Sequence, residues 1–229
     1  MNTRNQLICA HTTPVIMVFT CIGLFLLPGW LPPPSPNLPP DAVVAIFTNN
    51  IRLRIGMEIL MLSSPLFVGI SVAIAAQLRR IEGPHHVLAD MQLMASVLGV
   101  IAVELPAFFW LAISYRPGTP ADVIMVFNDL SWFMIIGGIG TAIFQNIAVG
   151  ICILNDDTGL NIYPRWLGFW SIWLALADLP GALLPFFKTG PFTWTGALGF
   201  WVVVTAFFVW LVLIYVFTVK AINRQAREG

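Results

Sequence analysis

Along the chain, apolar and polar positions fall into long blocks, giving six apolar stretches separated by short polar connectors. The stretches cover 14–30, about 55–77, about 91–115, about 123–154, from Pro164-Arg165 to about 187, and about 196–219. Crossing a bilayer takes roughly 20 helical residues, so each stretch predicts a transmembrane helix. The first follows polar residues with one arginine, as a signal peptide would, but it runs into Pro28-Gly29-Trp30 without a small-x-small cleavage pattern. A retained first helix is therefore expected. The fourth stretch exceeds what a bilayer needs and predicts either tilt or an interfacial turn before Trp132.

The longest connector, 31–50, holds six prolines between Pro32 and Pro40. Each proline removes a backbone donor and clashes with the preceding turn, so an extended, polyproline-like connector is predicted there. Such a segment serves as a stiff link or as a binding loop for a partner.

Composition agrees with this pattern. Hydrophobic residues make up 58% of the chain and charged residues 10%, against about a quarter charged in soluble domains. The expected fold is all-α: a single transmembrane domain over 1–229, a polytopic bundle of six helices with the lipid bilayer as its main partner. Net charge is zero, which leaves no basic surface for nucleic acid. Lysine and arginine set orientation. One side holds Arg4, Arg79, Arg80, Arg165, Lys220, Arg224 and Arg227, and the other Arg52, Arg54, Arg116 and Lys188. Both termini are therefore expected in the cytoplasm of a bacterial inner-membrane protein, with the proline connector outside.

Two acids interrupt the apolar stretches. Glu104-Leu105-Pro106 lies in the third and Asp178-Leu179-Pro180 in the fifth, each acid thirteen residues beyond its reference start, Met91 or Arg165. Both helices are expected to run outward, which places both acids at similar depth on the outer side of the midplane. A charged side chain there costs a few kcal/mol, so neither is expected to face lipid. Gly168, Ser171, Ala175, Asp178 and Ala182 share one stripe at helical spacing, and small residues mark helix contacts in membranes. Gln145 and Asn146 are the polar partners available on the fourth helix, beside a sector containing Ser131, Gly138 and Ala142. Pro106 and Pro180 should free the carbonyls of Ala102 and Leu176 and kink their helices. A kink, a free carbonyl and a carboxylate together can line a cavity, coordinate a cation or relay a proton. The same groups can instead pin two helices together. Asp129 is expected at the outer interface, and Glu58 stands one turn after Arg54, at ion-pair spacing.

A shift of 74 residues lays Glu104-Leu105-Pro106 on Asp178-Leu179-Pro180. The shift moves two helices along, so the copies of such a repeat would be parallel. His11, His85 and His86 are expected in polar flanks or a loop, which argues against intramembrane haem ligation by histidine. Cys9, Cys21 and Cys152 show no metal-ligand spacing, and Gly137-Gly138-Ile139-Gly140 lies in an apolar helix as a packing surface. No metal or cofactor is expected.

Two segments resemble a family. Arg52-Leu53-Arg54-Ile55-Gly56-Met57-Glu58-Ile59-Leu60-Met61 and Tyr163-Pro164-Arg165-Trp166-Leu167-Gly168-Phe169 are similar to the openings of the second and fifth helices in small bacterial six-helix membrane proteins, known only as a domain of unknown function. The acid-Leu-Pro pair is outside that pattern, so the resemblance implies a fold and no activity. The functional expectation rests on the acids: an outward-facing, acid-lined cavity that binds or transports a small solute, with proton coupling. The candidate groups are Glu104, Asp178, Gln145, Asn146, Glu58 and Asp129. A membrane enzyme acting on a lipid or terpenoid-like substrate is one alternative. An accessory subunit, self-associating or bound in a membrane complex, is another.

Overall fold

The structure is a computed structural model and describes residues 2–228. The described residues are helical, without strands, and six spans are long and apolar enough to cross a membrane. They run Thr3–Leu26, Ile51–Glu82, Val87–Tyr115, Ala121–Leu154, Arg165–Phe186 and Ala197–Glu228.

Several spans start earlier than hydropathy predicts, because polar residues bond back into their own helices. The first begins at Thr3 rather than near 14, with the Asn2 side chain accepting from the Asn5 N–H. The Thr12 and Thr13 hydroxyls then donate to the carbonyls of Cys9 and Ala10 at 2.8 and 2.7 Å. His11 consequently lies inside the first span and not in a polar flank; its Nδ1 stands 3.0 Å from the Tyr215 hydroxyl. Asn50 caps the second span by accepting from Leu53 N–H. The connector 31–50 is not extended throughout. Pro39-Pro40 opens a short helix, Pro40–Phe47, with Asp41 in its first turn. Proline at the first helical position removes a donor that would be unpaired anyway.

The spans are irregular where regular helix was predicted. Within the first span, Cys21–Leu26 is a π-helical segment. The second passes through a 3₁₀ turn at Ser64–Leu66, around Pro65. The fourth shows no turn before Trp132; it divides after it, into Ala121–Ile135 and Gly140–Leu154. The fifth leaves α geometry after Ala177 and finishes as a 3₁₀ helix, Leu179–Phe186. The sixth opens with a π segment, Ala197–Val202.

The two acid-Leu-Pro motifs therefore have different backbones. Pro106 sits inside a continuous helix, Val87–Tyr115, whereas Pro180 is the second residue of a 3₁₀ helix. Nine residues follow Pro106 in its helix, and Ala107, Trp110 and Ile113 among them are buried. Pro180 is followed by Gly181 and then Pro185, which withholds a second donor from any α continuation.

Two buried clusters hold the bundle. At the end that carries both termini, Ile74, Leu78, Ile153, Tyr163, Leu167 and Trp210 pack together. At the other end, Trp30, Trp110, Trp132 and Trp194 form a chain of rings with centroids 4.8, 5.1 and 6.1 Å apart. The proline connector is tied down here, since Trp194 Nε1 donates to Pro34 O at 2.8 Å and Asn37 Nδ2 to Lys188 O at 2.6 Å. At the terminal end, Gln77 Nε2 donates to Gln6 Oε1 and Gln225 Oε1 at 2.6 and 2.9 Å. Arg80 there meets Glu228 at 3.3 Å.

Candidate functional site

Glycine pairs set the register of the fourth and fifth spans. A Cβ on Gly150 would stand 2.9 Å from Gly168 O, and one on Gly181 would stand 2.8 Å from Ile136 O. The backbones thus touch at both places, as small residues permit. In this antiparallel register Asp178 stands opposite residue 139 or 140, about 8 Å along the axis from Gln145 at 1.5 Å per residue. The interruption of the fourth span and the end of α geometry in the fifth therefore lie side by side.

A cavity of about 190 Å³ opens beside them. All six spans line it, and five do so at or directly beside a departure from α geometry. Leu24 and Phe25 come from the first π segment, Ser64 from the 3₁₀ turn, Ile136, Gly138 and Ile139 from the interruption in the fourth span. Asp178 comes from the α-to-3₁₀ junction, and Val203 and Val204 directly follow the second π segment. The third span contributes Ala102 and Val103 just before Pro106, Ala102 carrying the carbonyl that Pro106 cannot bond. Irregular backbone at membrane depth is tolerated where it is buried in protein or lines a cavity.

The wall is mainly apolar, with Asp178 and Gln145 its most polar members. Asp178 is 2% exposed and Gln145 4% exposed. Asp178 Oδ1 and Gln145 Nε2 have no hydrogen-bond partner. Buried polar atoms are usually paired, so an unpaired acceptor on Asp178 and an unpaired donor on Gln145, two residues that line one cavity, mark its polar side.

The other candidate residues lie outside this wall. Glu104 is half-buried and does not line the cavity, although its neighbour Val103 does. Asn146 is buried with Oδ1 unpartnered, also away from the lining. Asp129 is half-buried and accepts from Asn128 Nδ2 at 3.4 Å. Glu58 is exposed, and the ion pair expected with Arg54 is not made; the Arg54 guanidinium donates to Ser114 O instead. Among the described residues the ion pairs are Arg79–Asp90 and Arg80–Glu228. The structure thus brings Asp178 and Gln145 to one wall and leaves Glu104 off it.

Sequence reasoning missed Ser64 and the phenylalanines Phe25, Phe67, Phe207 and Phe208, which also line the cavity. Ser64-Pro65 was the one local signal available. The phenylalanines stand in apolar runs where nothing marks one ring from another. No family model, curated protein or solved structure matches the chain.

Proposed function

We propose that this chain binds or transports a small solute through the central cavity, with Asp178 and Gln145 as its polar recognition groups and Asp178 coupling the solute to a proton. One observation carries the reading: irregular segments from four spans, the first α turn after the π segment of the sixth, and the proline-freed region of the third converge on a cavity lined by a carboxylate with an unpartnered oxygen. Interrupted helices that meet around a midplane site are the usual construction of transporter binding sites. Ionisable residues inside membranes mark such pathways.

The proposal extends to setting. The bias of basic residues supports termini in the cytoplasm and the proline end outward, in a bacterial inner membrane. The family resemblance noted at residues 52–61 and 163–169 belongs to the same proposal. Asp178 lies past the middle of Arg165–Phe186, which in this orientation favours access from outside.

The test screens small solutes for thermal stabilisation of the full-length protein in detergent, since a ligand of the native state raises Tm by mass action. Hits should stabilise the wild type and lose their effect in Ala142→Phe, which fills the cavity from the fourth span. A hit that stabilises Ala142→Phe equally binds elsewhere and refutes the cavity as the site. In proteoliposomes carrying an internal pH dye, a gradient of the hit should move protons with wild type and not with Asp178→Asn. Glu104→Gln in the same assay decides whether the second acid participates. Turnover of the hit in detergent, without any gradient, would make the protein an enzyme instead.

A further inference from the structure

We infer that the solute is a lipophilic amine, an apolar body of about benzene size or a little larger bearing one ammonium group, with the ammonium against Asp178. This rests on the cavity being a ligand site, and it names the ligand's class.

Size comes first. A dry, apolar cavity of about 150 Å³ holds a benzene molecule, and this one measures about 190 Å³. The walls then restrict the chemistry. Val100, Ile136, Leu211 and the four phenylalanines suit a hydrocarbon body. They do not suit a bare metal cation, which needs about six oxygen ligands. Phe67 and Phe207 pack with ring centroids 6.2 Å apart, and Phe207 and Phe208 at 6.0 Å. Aromatic rings attract a cation through their quadrupole, so the same surface that holds the body also favours a positive head.

Charge complements this. Asp178 is 2% exposed and its Oδ1 is unpartnered. No lysine, arginine or histidine lines the cavity to compete for that carboxylate. An ammonium supplies the donor and the countercharge together, which makes the bond of the strong, charge-assisted kind. An anionic solute would meet a carboxylate and no cation. Gln145, about one and a half turns away in register, leaves its amide N–H to an acceptor on a substituted body.

The experiment titrates full-length wild type in detergent with three probes of nearly equal shape: 2-phenylethylammonium, 2-phenylethanol and ethylbenzene. Calorimetry should rank the ammonium tightest. Asp178→Asn should weaken it by about ten-fold or more and leave ethylbenzene within about two-fold. Ala142→Phe should abolish all three. If the alcohol or ethylbenzene binds wild type as tightly as the ammonium, the amine assignment is overturned while the cavity remains a ligand site. If none of the three binds, or if Ala142→Phe leaves binding intact, the cavity reading falls as well. The ranking on wild type decides the amine class even if Asp178→Asn does not fold.

Discussion

Gly56→Ala should destabilise the protein by pushing the first two spans apart. A Cβ on Gly56 would stand 2.5 Å from Gly23 O, 3.2 Å from Pro28 Cδ and 3.3 Å from Leu27 Cβ. The reciprocal Cβ on Gly23 would stand 2.6 Å from Gly56 O and 3.1 Å from Leu60 N. Carbon atoms pack comfortably at about 3.5–4.0 Å, so relief needs a separation of nearly an ångström. The nearest obstruction is backbone in each case, and no rotamer change can clear it. Overpacking of this kind costs about 1–3 kcal/mol. The control is Gly140→Ala, where a Cβ meets nothing within 4 Å. Gly140 opens a helix, and alanine there should be neutral or stabilising by up to about 1 kcal/mol. Reversible unfolding in mixed micelles, followed by tryptophan fluorescence, measures both. Gly23→Ala and Gly56→Ala strain the same contact, so the double variant should cost less than the sum of the singles. The contact borders the Cys21–Leu26 segment that lends Leu24 and Phe25 to the cavity. Ligand affinity should therefore fall with stability in Gly56→Ala and stay level in Gly140→Ala. A Gly56→Ala protein within about 0.5 kcal/mol of wild type would refute the close backbone contact.

Tyr163→Phe should flatten the alkaline limb of the stability curve. Burial pushes the Tyr163 phenol above its ordinary value, offset in part by its 2.9 Å bond to the Thr218 hydroxyl. The unfolded chain ionises this group above about pH 10 while the native state keeps it protonated, so the unfolded state holds fewer protons and stability falls as pH rises. Tyr163's share of the slope is up to about 1.4 kcal/mol per pH unit, and the curve should be shallower by that share in Tyr163→Phe, which below pH 9 should lose only about 1 kcal/mol for the missing hydrogen bond. Glu82→Ala should loosen the start of the third span, because both Glu82 oxygens accept there, from Leu88 N–H at 2.9 Å and Ala89 N–H at 2.7 Å. A loss of about 1 kcal/mol is expected, with faster hydrogen exchange at those amides; unchanged exchange would show the cap to be dispensable. Ser171→Ala should cost about 1–3 kcal/mol, since it leaves the buried Trp210 Nε1–H without its 3.0 Å acceptor. Restoration of stability by Ser171→Thr, and not by Ser171→Val, would identify the hydroxyl as the cause.

What the sequence by itself determined is the number of spans long and apolar enough to cross a membrane, and their helical class. In hydrocarbon every backbone polar group must be satisfied within the segment or by a close neighbour, so six long apolar runs can only become six helices. Hydropathy misplaced the ends because it scores Thr12 and Thr13 as solvent-seeking, while their hydroxyls bond back to carbonyls one turn earlier. Asp178 and Gln145 were legible as polar residues that lipid would not accept. That they share a wall, and that Glu104 does not join them, was decided by tertiary structure. So was the fate of the two prolines. The same acid-Leu-Pro triplet continues a helix at Pro106, where the following turns bury Ala107 and Trp110, and ends one at Pro180, where Gly181 packs against the backbone of Ile136. A proline's effect depends on whether packing beyond it compensates the lost hydrogen bond, and that packing comes from other spans. The cavity has the same origin: its polar atoms are written in the sequence, but the space between them exists only where the irregular segments of separate helices meet.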